Sequence, residues 1–242
     1  MTVNSNLKDF PMADFSAFAI NAKWPAQNPD VIQLYSYPTP NGVKVSIALE
    51  ELGLAYEPHT VTLSDADVKS PEFLSLNPNN KIPAIIDPNG PDGKPIGLFE
   101  SGAILIYLAE KTGKLIGSSS AQKYKTIQWL MFQMGGVGPM FGQMGFFVKF
   151  AGSAIEDPRP RDRYIAESVR LLAVLEKEMA DKEWITGEFS IADIALAPWI
   201  NGLEFYGARP LVGWDRLPNL QAYLARFYAR SAVEKGRNIP AR

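Results

Sequence analysis

Cysteine is absent from all 242 residues. This excludes disulfides, zinc–thiolate centres and any nucleophilic or redox thiol belonging to the chain itself. Histidine occurs once, as His59, which argues against histidine-rich metal sites and a Ser-His-Asp triad. His59 lies in the strand-like run YEPHTV, where a structural or exposed role is favoured over a catalytic one. There is no basic excess: 24 Lys and Arg stand against 26 Asp and Glu, so no nucleic-acid partner is expected. No apolar run approaches the roughly 20 residues that span a bilayer. The N-terminus lacks the basic region and apolar block of a signal peptide. The expectation is a soluble, cytoplasmic protein with no membrane partner and no metal.

What is present is a hydrophobic content of 46%, enough for one large core or two smaller packed units. Residues 1–30 read as an irregular N-terminal extension. From 31 to 116 strand and helix patterns alternate. VIQLYS (31–36) is a strand, followed by a helix from Pro40 to Leu52 with Val45, Ala48, Leu49 and Leu52 on one face. Gly53 is its stop. YEPHTVTL is a second strand, Pro71–Leu76 a short helix, Ile82–Ile86 a third strand and Ile96–Glu100 a fourth. The turn-rich DPNGPDGKP closes a hairpin between the last two. A helix follows from Ser101 to Lys111. The fold class is therefore α/β plus all-α: a thioredoxin-like domain over 31–116, then an all-helical domain over 121–242. The polar run GSSSAQ (117–122) links them. In the second half, glycines and Pro139 are expected to kink or break the helix that begins near Ala121. Arg161–Met179 is a long amphipathic helix, and Ser190 with Asp193 forms a capping box at the start of another.

Three short motifs stand at element junctions, each with a plain structural reading. In TPNG, Thr39 suits an N-cap and Pro40 the first helical turn. Asn41 is harder to explain by capping, and its replacement by alanine is expected to leave stability intact. A helix N-terminus offers free N–H groups and positive partial charge, which lower the pKa of a thiol placed there. In NKIP, Pro83 suits a strand start; a cis Pro83 would instead turn the Ile82 backbone toward a ligand, but base rates alone disfavour cis. In FESG, Ser101 suits an N-cap. Alternatively, Ser101 and the helix N–H groups hold a carboxylate, while Glu100 holds an ammonium. Jointly the motifs describe one ligand with an α-amino-acid head, a peptide backbone and a thiol, which is glutathione. The thiol missing from the chain would arrive with the cosubstrate.

YPTPNGVKVSIALEELGL, SPEFLSLNPNNKIPAIID and LFESGAILIYLAEKTG together resemble the cytosolic glutathione transferases, and within them the nu-class, Ure2-like bacterial branch. The likeness covers roughly 31–235. It implies that Thr39 and Asn41 are catalytic and meet the glutathione sulfur, and that Pro83 is cis. It further implies that Asn41, Lys81, Ile82, Pro83, Glu100, Ser101 and Arg163 bind glutathione, with no metal. The implied activity is glutathione-dependent disulfide reduction by a homodimer. The alternatives are a lyase or conjugating transferase acting on an aromatic thioether or ether, with Met140, Phe141, Met144, Phe146 and Phe147 as its apolar pocket, and a non-catalytic glutathione-binding regulator. One departure is Val68, where the branch often has Gln or His; Lys69 is the expected substitute for holding the glycine carboxylate. Tyr35 and Tyr37 are further candidates for the sulfur.

Overall fold

In the computed structural model, which describes residues 17–241, strands occur only in the first half. Strand β1 (Ile32–Ser36) is buried at every position. Helix α1 (Gly42–Leu52) carries the chain over to β2 (Tyr56–Thr60), which pairs in parallel with β1. Two short helices follow, α2 (Asp65–Val68) and α3 (Pro71–Leu76). Strands β3 (Ala84–Asp87) and β4 (Ile96–Phe99) then form an antiparallel hairpin. The sheet order is β2-β1-β3-β4, with β3 antiparallel to β1 and Ala84 opposite Tyr35. This is the expected thioredoxin-like arrangement. Pro58 falls on the edge strand β2, where a missing N–H is tolerated.

Helix α4 (Ser101–Thr112) completes this half. Both α1 and α4 stop where glycine takes a left-handed conformation, Gly53 at φ 66° and Gly113 at φ 67°, the position at which a Cβ is disfavoured. β3 begins two residues later than the sequence pattern predicts. Pro83 brings no ladder N–H, so Ile82 stays outside the pairing with β1.

Among the described residues, everything after α4 is helical or loop. Helix α5 (Ser120–Phe132) starts inside the predicted linker, capped by Ser119, whose hydroxyl accepts from the Gln122 N–H. It does not break at the glycines. A wide π turn (Gln133–Val137) leads directly into α6 (Gly138–Lys149), with Pro139 in the first turn, where its missing N–H does no harm. Helix α7 (Pro158–Glu178) starts earlier than predicted because Asp157 caps it and Pro158 leads it. Helices α8 (Ile191–Phe205), α9 (Pro218–Tyr228) and α10 (Ser231–Gly236) follow. Among the described residues, no helix is long and apolar enough to cross a membrane.

The larger core cluster draws on both halves, with Ile47 and Leu49 of α1 and Leu108 of α4 joined to Ile194 and Leu203 of α8. A smaller cluster on the other side unites Ile20, Tyr35, Val61, Phe73 and Ile86. The stretch after residue 17 is therefore not merely irregular. Ile20 is fully buried, worth roughly 1.5–3 kcal/mol. Trp24 donates its indole N–H to the Thr60 carbonyl at 3.1 Å, and the Glu57 carboxylate accepts from the Gln27 and Asn28 N–H groups. Residues 1–16 of the predicted extension lie outside the described residues.

Candidate functional site

The TPNG turn acts first as a helix start. The Thr39 side chain accepts from the Gly42 N–H at 3.2 Å, and the Thr39 carbonyl from the Val43 N–H at 3.0 Å. Thr39 thus caps α1. A Cβ on residue 42 would lie 1.9 Å from the Tyr37 carbonyl oxygen, so the turn requires glycine there. Asn41 stands next to the first helical residue, but its side chain makes no capping bond. Its side-chain Oδ1 accepts from the Trp199 indole N–H of α8 at 2.9 Å. Indole nitrogen only donates, which fixes the amide orientation and leaves its NH2 free of the Trp199 bond on a residue that lines a cavity.

The Trp199 indole packs against α6 at two glycines. A Cβ at Gly138 or at Gly142 would each sit 3.5 Å from the Trp199 ring. The glycines that read as helix breakers are instead contact surface for this indole. The contact also corrects the expectation for Asn41→Ala. That change strands a buried Trp199 N–H, an indole only 9% exposed, and so lowers stability as well as activity.

The second motif is delivered as the resemblance implied. The Ile82–Pro83 peptide is cis. Asn77, buried at 2% exposure, organises the loop before it, accepting from the Asn79 N–H and donating to the Lys81 carbonyl. The third motif carries backbone strain. Glu100 adopts φ 70° and ψ 109°, a region that costs a non-glycine residue roughly 1–3 kcal/mol and recurs at functional sites. The strained turn leaves Glu100 exposed while Ser101, opening α4, is buried.

A cavity of about 130 Å³ joins these junctions, lined by Asn41, Lys81, Ile82, Pro83, Glu100 and Ser101. Asn77 and Asn79 complete its wall. A wider, more open depression of about 770 Å³ lies at the β2 edge, between Tyr56, Glu57 and Lys235. It shares no residue with the smaller cavity and lacks its convergence of a helix N-terminus, a strained carboxylate and a buried hydroxyl, so the smaller one is the candidate site.

Several expected residues are elsewhere. Arg163 is exposed on α7 and does not line the cavity; its charge acts on Glu167. Lys69 pairs with Asp65 at 2.8 Å instead of facing the cavity, and Val68 is buried in the smaller core cluster. Tyr35 is fully buried, stacked on His59 with ring centroids 4.7 Å apart. Burial pushes its hydroxyl far above the usual phenol range, which suits packing and not thiol activation. His59 is structural, bonded to Gln33 at 2.8 Å, and burial lowers its pKa. Met140, Phe141, Met144, Phe146 and Phe147 do not form one pocket. Phe141 and Met144 are in the core, while Phe146 is 40% exposed, because successive residues of a helix face different directions.

Trp199, Asn77 and Lys44 were missed from sequence. Lys44 is fully buried beside Ser101. A lysine among the apolar residues of α1 was a legible signal; the Trp199 contact, across 158 positions, was not.

A thioredoxin-like sheet whose helix N-termini and cis-proline loop line one polar cavity, joined to an all-helical second half, defines a two-part class of thioredoxin-like proteins. The comparisons place the chain within it. Residues 30–110 match the glutathione S-transferase N-terminal domain, and residues 159–226 the C-terminal domain. The disulfide-bond oxidoreductase YfcG of Escherichia coli is 48% identical over 173 residues, 71% of this chain and 80% of that protein. A Burkholderia graminis glutathione transferase, solved with two glutathione molecules per subunit, superposes with a TM-score of 0.94 at 63% identity, covering 98% of this chain and 100% of that one. A Pseudomonas putida glutathione transferase with one glutathione disulfide per subunit superposes at 0.93 with 60% identity, over 94% of this chain and 99% of that one. The chain belongs to the glutathione S-transferase family.

Proposed function

We propose that this protein is a glutathione-dependent disulfide-bond reductase of the nu-class, Ure2-like branch, working as a cytoplasmic homodimer with a thioredoxin-like domain over 31–116 and a helical domain over 121–242. The observation that carries the reading is the Asn41 amide. Its oxygen is occupied by Trp199, so its NH2 is held as a donor at the start of α1, where an anionic sulfur is stabilised. Thr39 supports the same turn as its cap. The γ-glutamyl head lies at Glu100 and Ser101, with its ammonium on the carboxylate and its carboxylate on the hydroxyl and helix N–H groups. The peptide runs along Ile82 beside cis Pro83, with Lys81 at the cavity rim. Arg163 of α7 is the glutathione-binding residue that the family resemblance adds from the helical domain, outside the lining of the small cavity. The names of YfcG and of YghU, a second disulfide-bond oxidoreductase of E. coli 37% identical to this chain, support this chemistry.

The bound glutathione thiolate attacks one sulfur of a small disulfide. A mixed disulfide forms and the other sulfur leaves as a thiolate. A second glutathione thiolate then attacks the mixed disulfide, releasing oxidised glutathione and the second substrate thiol. Two electrons pass from two glutathiones to the substrate, and the chain contributes no thiol.

The test is Asn41→Asp. Aspartate keeps an acceptor for Trp199, so the thermal midpoint should hold, but it removes the donor and places negative charge beside the sulfur. The disulfide-reductase rate should fall by about a hundredfold, with a raised thiol pKa in the pH–rate profile. Full activity in this variant would remove Asn41 from the chemistry.

A further inference from the structure

Lys44 is the third residue of α1 and is 0% exposed. Its ammonium donates to Gln133 Oε1 at 2.6 Å and to Ser101 Oγ at 3.2 Å, with Met134 Sδ at 3.6 Å. Every one of these partners is neutral. A sealed cation whose hydrogen-bond partners are all neutral, with only the exposed Glu100 carboxylate acting on it from outside that set, is an unfavourable arrangement unless a second anion completes it. A glutamine or a hydroxyl could pin α1 to α4 and the π turn without that penalty, so a purely structural role does not account for the charge.

We infer that Lys44 is the buried counter-charge for the ligand's α-carboxylate, acting through Ser101, and that it sets specificity for ligands carrying that group. The inference rests on the γ-glutamyl reading of Glu100 and Ser101. While the Ser101 oxygen accepts from Lys44, its own proton must point elsewhere. The protein offers it the Met134 sulfur at 3.8 Å, a weak acceptor. A carboxylate in the adjoining cavity is a far better one. The chain of donors then runs from Lys44 through Ser101 to the ligand, beside the free N–H groups of α4.

The same geometry makes binding sensitive to protons. Burial pulls the Lys44 ammonium down to about 7, opposed by the charge of Glu100. Glu100 is the titratable group acting on it; Ser101 of α4 and Gln133 and Met134 of the π turn are uncharged. An arriving carboxylate favours the charged amine, so binding near neutral pH takes up a proton.

The experiment uses S-methylglutathione, which has no thiol to titrate, and its analogue with a 4-aminobutyryl group in place of γ-glutamyl, which lacks only the α-carboxylate. Both are titrated calorimetrically at about pH 7.5 in two buffers of different ionisation enthalpy. The unmodified protein should bind S-methylglutathione about tenfold tighter or more than the analogue, and should take up a fraction of a proton with the first alone. Lys44→Met should lose about tenfold or more for S-methylglutathione. It should distinguish the two ligands far less, retaining only what Ser101 and the α4 N–H groups supply, and the proton uptake should vanish. A Lys44→Met protein with undiminished affinity and discrimination overturns the inference. So does equal proton uptake with both ligands in the unmodified protein, a result that needs no folded variant. Failure of the unmodified protein to bind S-methylglutathione at all overturns the glutathione reading and this inference with it, and is distinct from failure at Lys44 alone.

Discussion

Two helix starts in this protein use similar residues to opposite ends. At α8, Ser190 and Asp193 close the end on itself. The Asp193 carboxylate accepts from the N–H groups of Ile185 and Ser190 and from the hydroxyls of Ser190 and Tyr223. All of it is buried beneath the core. At α1, Thr39 supplies one capping bond, and the polar side chain after it is drawn away by Trp199. Its NH2 is left unengaged by that bond, and Asn41 lines a cavity. A helix start whose donors are consumed by its own side chains is structure; one that leaves donors facing a cavity is a place for an anion. Sequence presents both as a small polar residue ahead of an apolar run, and the difference lies in what the fold sets opposite them.

The comparison breaks most severely at Asp193. Asp193→Ala leaves the Ile185 and Ser190 N–H groups without a buried partner and the Tyr223 hydroxyl with only the longer bond to the residue 193 carbonyl at 3.4 Å, and should lower stability by about 3 kcal/mol in denaturant unfolding. Burial raises the Asp193 carboxyl from 3.8 to about 6 against the pull of its donors. A pKa raised on folding means that the folded state binds the proton more tightly. The stability Asp193 contributes is then full below about pH 4 and declines as pH rises through about 6, a slope the alanine variant should lack.

Trp199→Phe probes the open end. Phenylalanine keeps a ring against Gly138 and Gly142 but has no N–H. The Asn41 amide loses its fixed orientation, and the reductase rate should fall by about three- to tenfold, with a stability loss of about 1 kcal/mol in a thermal melt. A rate unchanged by this substitution would show that the indole only packs.

Thr39→Ala removes a cap and should lower stability by about 1 kcal/mol. The smallest effect belongs to Lys69. Its pair with Asp65 is exposed on both sides, so Lys69→Ala should shift stability by under about 0.5 kcal/mol and leave glutathione affinity unchanged in calorimetry. A loss of affinity would restore Lys69 to the site as the substitute for the Gln or His that the branch often carries at position 68.

Local pattern determined a great deal of this protein. Alternation in VIQLYS, the apolar face of α1, the stops at Gly53 and Gly113 and the Ser190–Asp193 box each depend on residues within a turn or two of one another, and each element formed where the pattern put it. The junction motifs TPNG, NKIP and FESG are likewise local, which is why most of the candidate site could be named before any geometry. What pattern missed involves long separations in the chain. Trp199 and Asn41 meet only because α8 packs on α1, and Lys44 meets Gln133 only because a π turn, not a break, follows α5. Arg163 and Lys69 were expected at the site and stand apart from its cavity, because the identity of a charged residue does not say which way its helix faces. The sequence by itself settled which elements form and several of their ends, such as the stops at Gly53 and Gly113 and the Ser190–Asp193 start, since those choices are made by near neighbours through steric limits and hydrogen bonding. Which polar groups end up paired, and which are left facing a cavity, was decided only when packing of the two halves brought distant side chains within 3 Å or so of each other, the range over which a hydrogen bond forms.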